Sequence, residues 1–394
     1  MVALVVVSLG LVAFSYVGYF LVLAAWDGLR DALAAIRFLG GGADRRAQRE
    51  PEGWPRVSLV FSAFDEEGCI RRKIENCLAL DYPPDRLEIL VGCDGCTDRT
   101  AELARAAGGA RVTVHELRTR TGKPSVVSRL VPGALGDVVV LTDANAMLEP
   151  GAVGALVQRF RDPAVGAVVG RLRLFDPVRG EVEESLYWRY ETLLKYYEGK
   201  HGCVLGANGG LYAVRRALFS PLPPDTIIDD FVVPIRIAVR GFRVAFEPEA
   251  VAHEDVTGDA AREFSRRARI GAGDWQALTR VPEVLDPRSG FLFFSFVSHK
   301  LLRWATPLLL SVAVAASAVA AVEPGAWALR ALLAAQLAFY GLALAGRSGL
   351  AGPLRRVAAL AHYFVAMNVA LAVGFWRFAR GTQAATWQRT DRAI

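Results

Sequence analysis

Apolar positions along the 394-residue chain fall into two regimes. Four stretches carry no charge at all: residues 2–26, 304–322, 331–346 and 357–376. A membrane span needs roughly 20 mainly apolar residues. The four stretches therefore predict four transmembrane helices, the third recruiting flanking residues to reach full length. The first has no Lys or Arg ahead of it and outruns the apolar core of a cleaved leader, so it predicts a signal anchor. Between the first and second spans the apolar runs are short and bounded by polar clusters.

Those short runs alternate in period. VSLVFSAF (57–64), LEILVGC (87–93), VTVHEL (112–117), DVVVLTD (137–143) and VGAVVGRLRL (165–174) predict buried strands. Helical spacing over about 66–80 (Ile70, Ile74, Cys77, Leu78) ends at DYPPD, because proline cannot continue a helix. TDRTAELARAAGG predicts a second helix, capped by Thr97 or Asp98, with glycines past its end. Further helices follow Lys123 and occupy PGAVGALVQRF. The alternation predicts an α/β domain with a mainly parallel sheet and helices on both faces. The expected organisation is an anchor (1–28), a polar linker (29–54), the α/β domain (55–285), an interfacial segment with three transmembrane helices (286–380) and a tail (381–394).

Composition and charge sharpen this picture. The chain is 53% hydrophobic, with mean hydropathy +0.28 and a formal net charge of +6. Much of the basic excess flanks the membrane segments, where anionic headgroups account for it. No zinc-finger, homeodomain or RNP pattern is present, and nucleic acid is not an expected partner. Arg30, Arg37, Arg45, Arg46 and Arg49 follow the first span, and Arg347, Arg355 and Arg356 lie between the third and fourth. The positive-inside rule then predicts a multi-pass inner-membrane protein with a cytoplasmic α/β domain. Arg377, Arg380, Arg389 and Arg392 follow the last span, which a count of four places outside; the side of the tail stays open.

Ligands of parallel sheets bind beyond the carboxyl ends of the strands. Asp65, Asp94 and Asp143 stand at three such ends. Taken singly, each serves equally well as a cap for the next helix. Three carboxylates at one edge repel one another unless a cation or ligand donor sits among them. Oxygen ligands suit a hard divalent ion, and Mg²⁺ commonly bridges protein carboxylates to substrate phosphates. The pair Cys93 and Cys96 in VGCDGCTDRT lacks the second ligand pair that a zinc site requires.

In order and spacing the motifs resemble the family 2 glycosyltransferases, whose nucleotide-sugar-binding domain has the GT-A fold. SAFDEEG resembles P-x-Y-N-E-E, with Asp65 in place of Asn, and VGCDGCTDRT resembles V-D-D-G-S-T-D-x-T. RTGKPSVVSRL resembles N-x-G-K-x-x-A-L-N, and LTDANAMLEP the D-A-D metal motif. DDFVVPIRIAVRGFRVAFEP resembles the E-D…R…G-Y…P segment, and RRARIGAG stands where Q-x-x-R-W would be. The resemblance spans roughly residues 55–280 and extends to the cellulose, hyaluronan and poly-N-acetylglucosamine synthase-like group.

The resemblance implies a role for each matched residue. Asp94 would accept from a uracil ring, with Asp65 or Glu66 lining the same pocket and Lys123 approaching the nucleotide or its phosphates. Asp143 and Asn145 would hold Mg²⁺ or Mn²⁺ against the diphosphate, Asn145 departing from the usual second Asp. Asp230 matches the catalytic base, and Asp229 stands beside it where Glu is usual. Gly206, Asn208 and Gly209 would let backbone approach the donor sugar. Arg269 would contact the diphosphate, Arg266 stands in place of Gln, and Ile270 in place of the Trp that lines processive sites. The implied activity is inverting, metal-dependent transfer from a nucleotide-diphosphate sugar, a uridine one for preference, to a lipid-linked or saccharide acceptor at the cytoplasmic membrane face, with export or polymer-assembly proteins as further partners. The alternatives are a processive polysaccharide synthase, a non-catalytic nucleotide-binding membrane scaffold, and a transporter, for which the spans offer no carboxylate.

Overall fold

Strands form where β-branched and aliphatic residues run uninterrupted and both faces are covered. In the computed structural model, which describes residues 1–39, 53–176, 181–182, 186–255, 260–347 and 352–386, this happens repeatedly. The chain opens with α1 (Val2–Ala13), a π turn and α2 (Tyr19–Leu39). The helix thus continues into the stretch expected to be linker; the rest of that stretch, 40–52, lies outside the described residues. There follow β1 (Val57–Ala63), α3 (Ile70–Leu78), β2 (Leu87–Asp94), α4 (Thr100–Gly108), β3 (Val112–Leu117), α5 (Lys123–Leu130), β4 (Val138–Asp143), β5 (Met147–Leu148) and α6 (Ala152–Arg159). Then come β6 (Val165–Asp176), β7 (Glu181–Val182), α7 (Leu186–Lys200), β8 (Leu211–Arg215), α8 (Asp229–Ala238), β9 (Arg243–Asp255) and α9 (Ala260–Arg280).

Among the described residues one sheet holds nine strands, in the order β3-β2-β1-β4-β8-β6-β9-β5, with β7 on β6. β3, β2, β1 and β4 are mutually parallel, as expected from the alternation. β8 departs from it: LYAVR runs antiparallel to both β4 and β6 in the middle of the sheet. The sequence reading absorbed this run into a glycine-rich segment and also passed over β9, which pairs parallel to β6. Two helix starts also shift. Residues 66–69 make a turn, with the Glu66 carbonyl accepting from the Cys69 and Ile70 N–H groups, so α3 begins at Ile70. α4 begins at Thr100 rather than beside Thr97; Asp98 Oδ1 accepts from the Thr100 N–H at 2.9 Å and still serves the helix end. Val57, Leu59 and Phe61 of β1, Ile89 and Val91 of β2, and Ile70, Ile74 and Cys77 of α3 are buried together in one apolar cluster.

Two compact units divide the chain: Met1–Val22, Asp259–Gln276 and Phe296–Gln383 form one; Leu23–Gly258, Ala277–Ser295 and Ala384–Ile394 form the other, which contains the sheet. Beyond α9 the chain forms α10 (Phe291–Ser295), a π turn, α11 (Leu302–Trp304), α12 (Thr306–Ala320), α13 (Trp327–Arg347) and α14 (Arg355–Ala379). Among the described residues, three helices are long and apolar enough to cross a membrane, including α13 at 21 residues and α14 at 25, and a fourth is present if a bent pair counts as one. That pair, Phe291–Trp304 and Thr306–Ala320, is bent by 62°. Pro307 accounts for the break, since it has no N–H for the carbonyl four residues back. Within this unit α9 lies against α14. A Cβ on Gly374 would sit 2.5 Å from the Ala268 carbonyl oxygen, and Trp275 meets Phe375 edge to face at 5.1 Å between ring centroids.

Candidate active site

The carboxyl ends of β1, β2 and β4 reach the same edge, since Ala63 pairs with Cys93 and Ser62 with Asp143. Asp94 ends β2 and is buried. Its Oδ1 accepts from the Thr121 N–H at 2.7 Å and the Thr121 hydroxyl at 2.9 Å, and its Oδ2 from the Gly122 N–H at 2.7 Å. The carboxylate therefore fastens the turn that launches α5 and Lys123. Asp65, at φ +50°, accepts from the Thr97 N–H at 2.7 Å. Glu66 donates its N–H to Thr100 Oγ1 at 2.7 Å. Between Asp94 and Cys96, Gly95 has φ +66°, and a Cβ there would lie 2.5 Å from the Arg120 nitrogen, so only glycine fits. The Arg120 guanidinium stacks 3.7 Å from the centroid of the Phe64 ring.

Lys123 is the centre of the charge arrangement. Its Nζ donates to Asp143 Oδ1 at 2.6 Å and lies 3.7 Å from Asp229 Oδ2, with the side chain only 11% exposed. Burial pulls the ammonium's pKa down, but Asp143, Asp229 and Asp230 together outweigh it and hold the pKa well above the ordinary lysine value. Gly209 closes the cluster: a Cβ there would stand 2.8 Å from Asp143 Oδ2, 3.3 Å from Lys123 Nζ and 3.5 Å from Asp230 Oδ2. Three residues matched by the resemblance, Asp143 of β4, Lys123 of α5 and Asp230 of α8, thus converge on one glycine backbone. α8 begins at Asp229, so both aspartates occupy its first turn, where the helix dipole favours negative charge. Beneath them Tyr212 of β8 is fully buried. Burial, reinforced by Asp229, Asp230 and Asp143, pushes its phenol far above the usual range. Neither Tyr212 Oη nor Asp229 Oδ2 makes a hydrogen bond of normal geometry to protein.

Other predicted residues sit at the margins of this cluster. Asn145 does not share the Lys123 contacts; its Nδ2 donates to Glu254 Oε1 of β9 at 2.8 Å. Asn208 Oδ1 accepts from Lys195 Nζ of α7 at 2.7 Å, a lysine that is itself buried. Arg266 and Arg269 lie on the part of α9 that belongs to the other unit, and Arg266 pairs with Glu263 at 2.8 Å. Sequence reasoning missed Lys73. Its ammonium is wholly buried and donates to Thr142 Oγ1 at 3.2 Å and to the Ala146 carbonyl, so it grips both ends of the turn carrying Asp143 and Asn145. Burial lowers its pKa. The legible signal was a lysine inside the apolar stripe Ile70, Ile74, Cys77. Tyr212 and Lys195 gave no comparable signal.

The donor set suits a hard divalent cation. Asp143 offers carboxylate oxygens beside the Gly209 cradle, and the buried Asp229 Oδ2 has no closer cation among the described residues than Lys123 Nζ at 3.7 Å. Asp65, Cys96 and Asp98 also bring ligand atoms within 4.8 Å of one another, but Asp98 and Asp65 already serve the α4 start and the Thr97 N–H. All five cysteines are free thiols, and Cys93 is buried. A hydrogen bond between Cys93 and Cys96 pushes the first thiol's pKa up and the second's down.

Comparison with known proteins gives the family and the fold. The profile described as "Glycosyltransferase like family 2" matches residues 55–273. A poly-β-1,6-N-acetyl-D-glucosamine synthase of Staphylococcus aureus is 24% identical over 231 residues, which cover 57% of this chain and 56% of that protein. The chain thus matches about half the length of this curated relative. Among solved structures, a mannosyltransferase from Pyrobaculum calidifontis, in complex with GDP-mannose and Mn²⁺, superposes with a TM-score of 0.69 at 24% identity. That match covers 95% of this chain and 99% of the other, and it establishes the GT-A fold. With a family profile matching more than half of its length, the chain belongs to glycosyltransferase family 2 and is a glycosyltransferase.

Proposed function

We propose that the protein transfers a sugar from a nucleotide-diphosphate donor to a lipid-linked or saccharide acceptor at the cytoplasmic face of the membrane, inverting the anomeric centre and depending on a divalent metal. The observation that carries this reading is the Lys123–Asp143–Asp229 ion-pair cluster closed over the Gly209 backbone. Asp143, with Asn145, would hold Mg²⁺ or Mn²⁺; when bound, the metal offsets charge developing on the departing diphosphate. The Lys123 ammonium, held protonated by its neighbours, faces the same charge. Asp230 takes the acceptor hydroxyl proton as that oxygen attacks the anomeric carbon and the bond to the diphosphate oxygen breaks. Asp94 fastens the Thr121–Gly122 turn and, with Asp65 and Glu66, borders the base pocket, where a uridine nucleotide is the preferred donor.

The synthase from S. aureus favours a second reading, repeated addition to a growing polysaccharide. Ile270, standing where processive enzymes carry Trp, favours single transfer.

The test is release of nucleoside diphosphate from a panel of nucleotide sugars, with full-length protein, membrane lipid extract and Mn²⁺ or Mg²⁺. Turnover with one donor, abolished by EDTA and Asp143→Ala, is expected. Asp230→Asn should lower turnover about 10²–10⁴-fold while nucleotide still binds. Unchanged turnover in Asp230→Asn overturns the base assignment; binding without turnover for every donor favours the scaffold. Product length separates single transfer from polymerisation.

A further inference from the structure

Asn145 occupies the position where the resemblance places a second metal-binding aspartate, and it is 8% exposed. Only one end of its amide can ligate a hard cation, the carbonyl oxygen. An amide with no fixed partner presents either end. Here the partner is the Glu254 carboxylate, 2.8 Å away. An ionised carboxylate only accepts hydrogen bonds, so the amide NH₂ must face Glu254 and Oδ1 must face elsewhere. The arrangement is set by backbone. β5 begins two residues after Asn145 and pairs antiparallel with β9, Met147 opposite His253 and Leu148 opposite Ala252. The next side chain along β9, His253, is engaged 3.0 Å from Glu149 Oε1.

We infer that Glu254 is a positioning residue for the metal site, fixing the Asn145 amide so that its Oδ1 serves the cation held by Asp143. The inference rests on the metal-dependent reading above. It also accounts for asparagine at this place. An aspartate at 145 would set two carboxylates in hydrogen-bond range with no proton between them, and like charges at that distance do not both ionise. Asn145 and Glu254 are then a matched pair, in which the negative charge of a usual metal aspartate has moved one side chain outward.

The pairing is tested by Mn²⁺ binding to the full-length protein in detergent. Free Mn²⁺ is read by electron paramagnetic resonance, with the metal alone and then with saturating UDP or GDP. Loss of an outer partner typically weakens metal binding about 10–100-fold, and Glu254→Gln is expected to fall in that range. Asn145→Asp, facing an intact Glu254, should also weaken binding. The double variant Asn145→Asp/Glu254→Gln should recover most of the wild-type affinity, since it restores one carboxylate and one amide in exchanged places. At saturating Mn²⁺, turnover of Glu254→Gln should return to the wild-type rate, as a general loss of structure would not allow. Wild-type affinity in both single variants, or a double variant as weak as the worse single, overturns the inference. Glu254→Gln binding as poorly as Asp143→Ala, with no rescue in the double variant, also overturns it, by making Glu254 a ligand. Asp143→Ala with undiminished Mn²⁺ binding, or a wild type that binds none, instead overturns the metal reading on which the inference stands.

Discussion

Replacing Lys123 with methionine keeps the length of the side chain and removes its charge. The ammonium is the cation between Asp143 and Asp229, and those side chains are 16% and 9% exposed against 11% for the lysine. Removing one partner of a pair this buried leaves uncompensated charge, which costs about 3–5 kcal/mol. For a domain of this size each kcal/mol shifts Tm by about 2–4 °C, so a drop of about 6–20 °C is expected. The assay is thermal unfolding of the full-length protein in detergent with EDTA present. The sign of the pH dependence follows from the raised pKa. Lys123 contributes fully below its unfolded value of about 10.5 and loses that contribution only as pH rises through the folded value. The gap between wild type and variant should therefore stay flat as far as Lys123 is concerned from about pH 6 to 9. Mn²⁺ should narrow it, because the variant's carboxylates, freed of the Lys123 cation, bind a divalent ion more tightly than those of wild type, and each tenfold gain in affinity adds about 1.4 kcal/mol of stabilisation at saturating metal. A variant within about 1 kcal/mol of wild type would mean that the pair behaves as a solvent-screened surface pair, and the buried-cluster reasoning would fail.

Asp94→Asn replaces one acceptor oxygen with a donor facing the Thr121 or Gly122 N–H, so it should cost about 1–3 kcal/mol and raise the Kd for nucleotide, read by calorimetry. Gly209→Ala places a methyl 2.8 Å from Asp143 Oδ2 and should weaken Mn²⁺ and donor binding in equilibrium titrations, with little change in the circular dichroism of the sheet. Lys73→Met removes the grip on both ends of the Asp143 turn and should raise the Mn²⁺ concentration for half-maximal turnover; an unchanged value would show that the turn holds itself.

The first four strands and their shared edge were legible because each is a short apolar run closed by a polar cluster, and β1 to β4 obey the alternation that predicts parallel pairing. β8 escaped because LYAVR is only five residues long, follows Gly209 and Gly210, and inserts antiparallel between strands whose sequences announce nothing about it. Residue matches pointed to Asp143, Lys123, Asp229, Asp230 and Gly209 without showing that they meet; the meeting depends on α8 and β8 returning to the β4 edge. Tyr212 and Lys195 were illegible for a related reason. Their importance lies in burial against particular partners, which no periodicity reports. The bend at Pro307 falls at the start of the uncharged stretch 304–322, and the other arm of the pair, Phe291–Trp304, lies ahead of it and carries Lys300 and Arg303, so no apolar run announces the two as one span.

The contact between α9 and α14 has a mechanical consequence. Gly271 and Gly374 bring the two backbones so close that α9 has little freedom to swing on α14. The helix bearing Arg266 and Arg269 is therefore mounted like a bracket on α14, a helix long and apolar enough to cross a membrane. A substituent at either glycine would act as a shim, prising the arginine-bearing helix away from its mount.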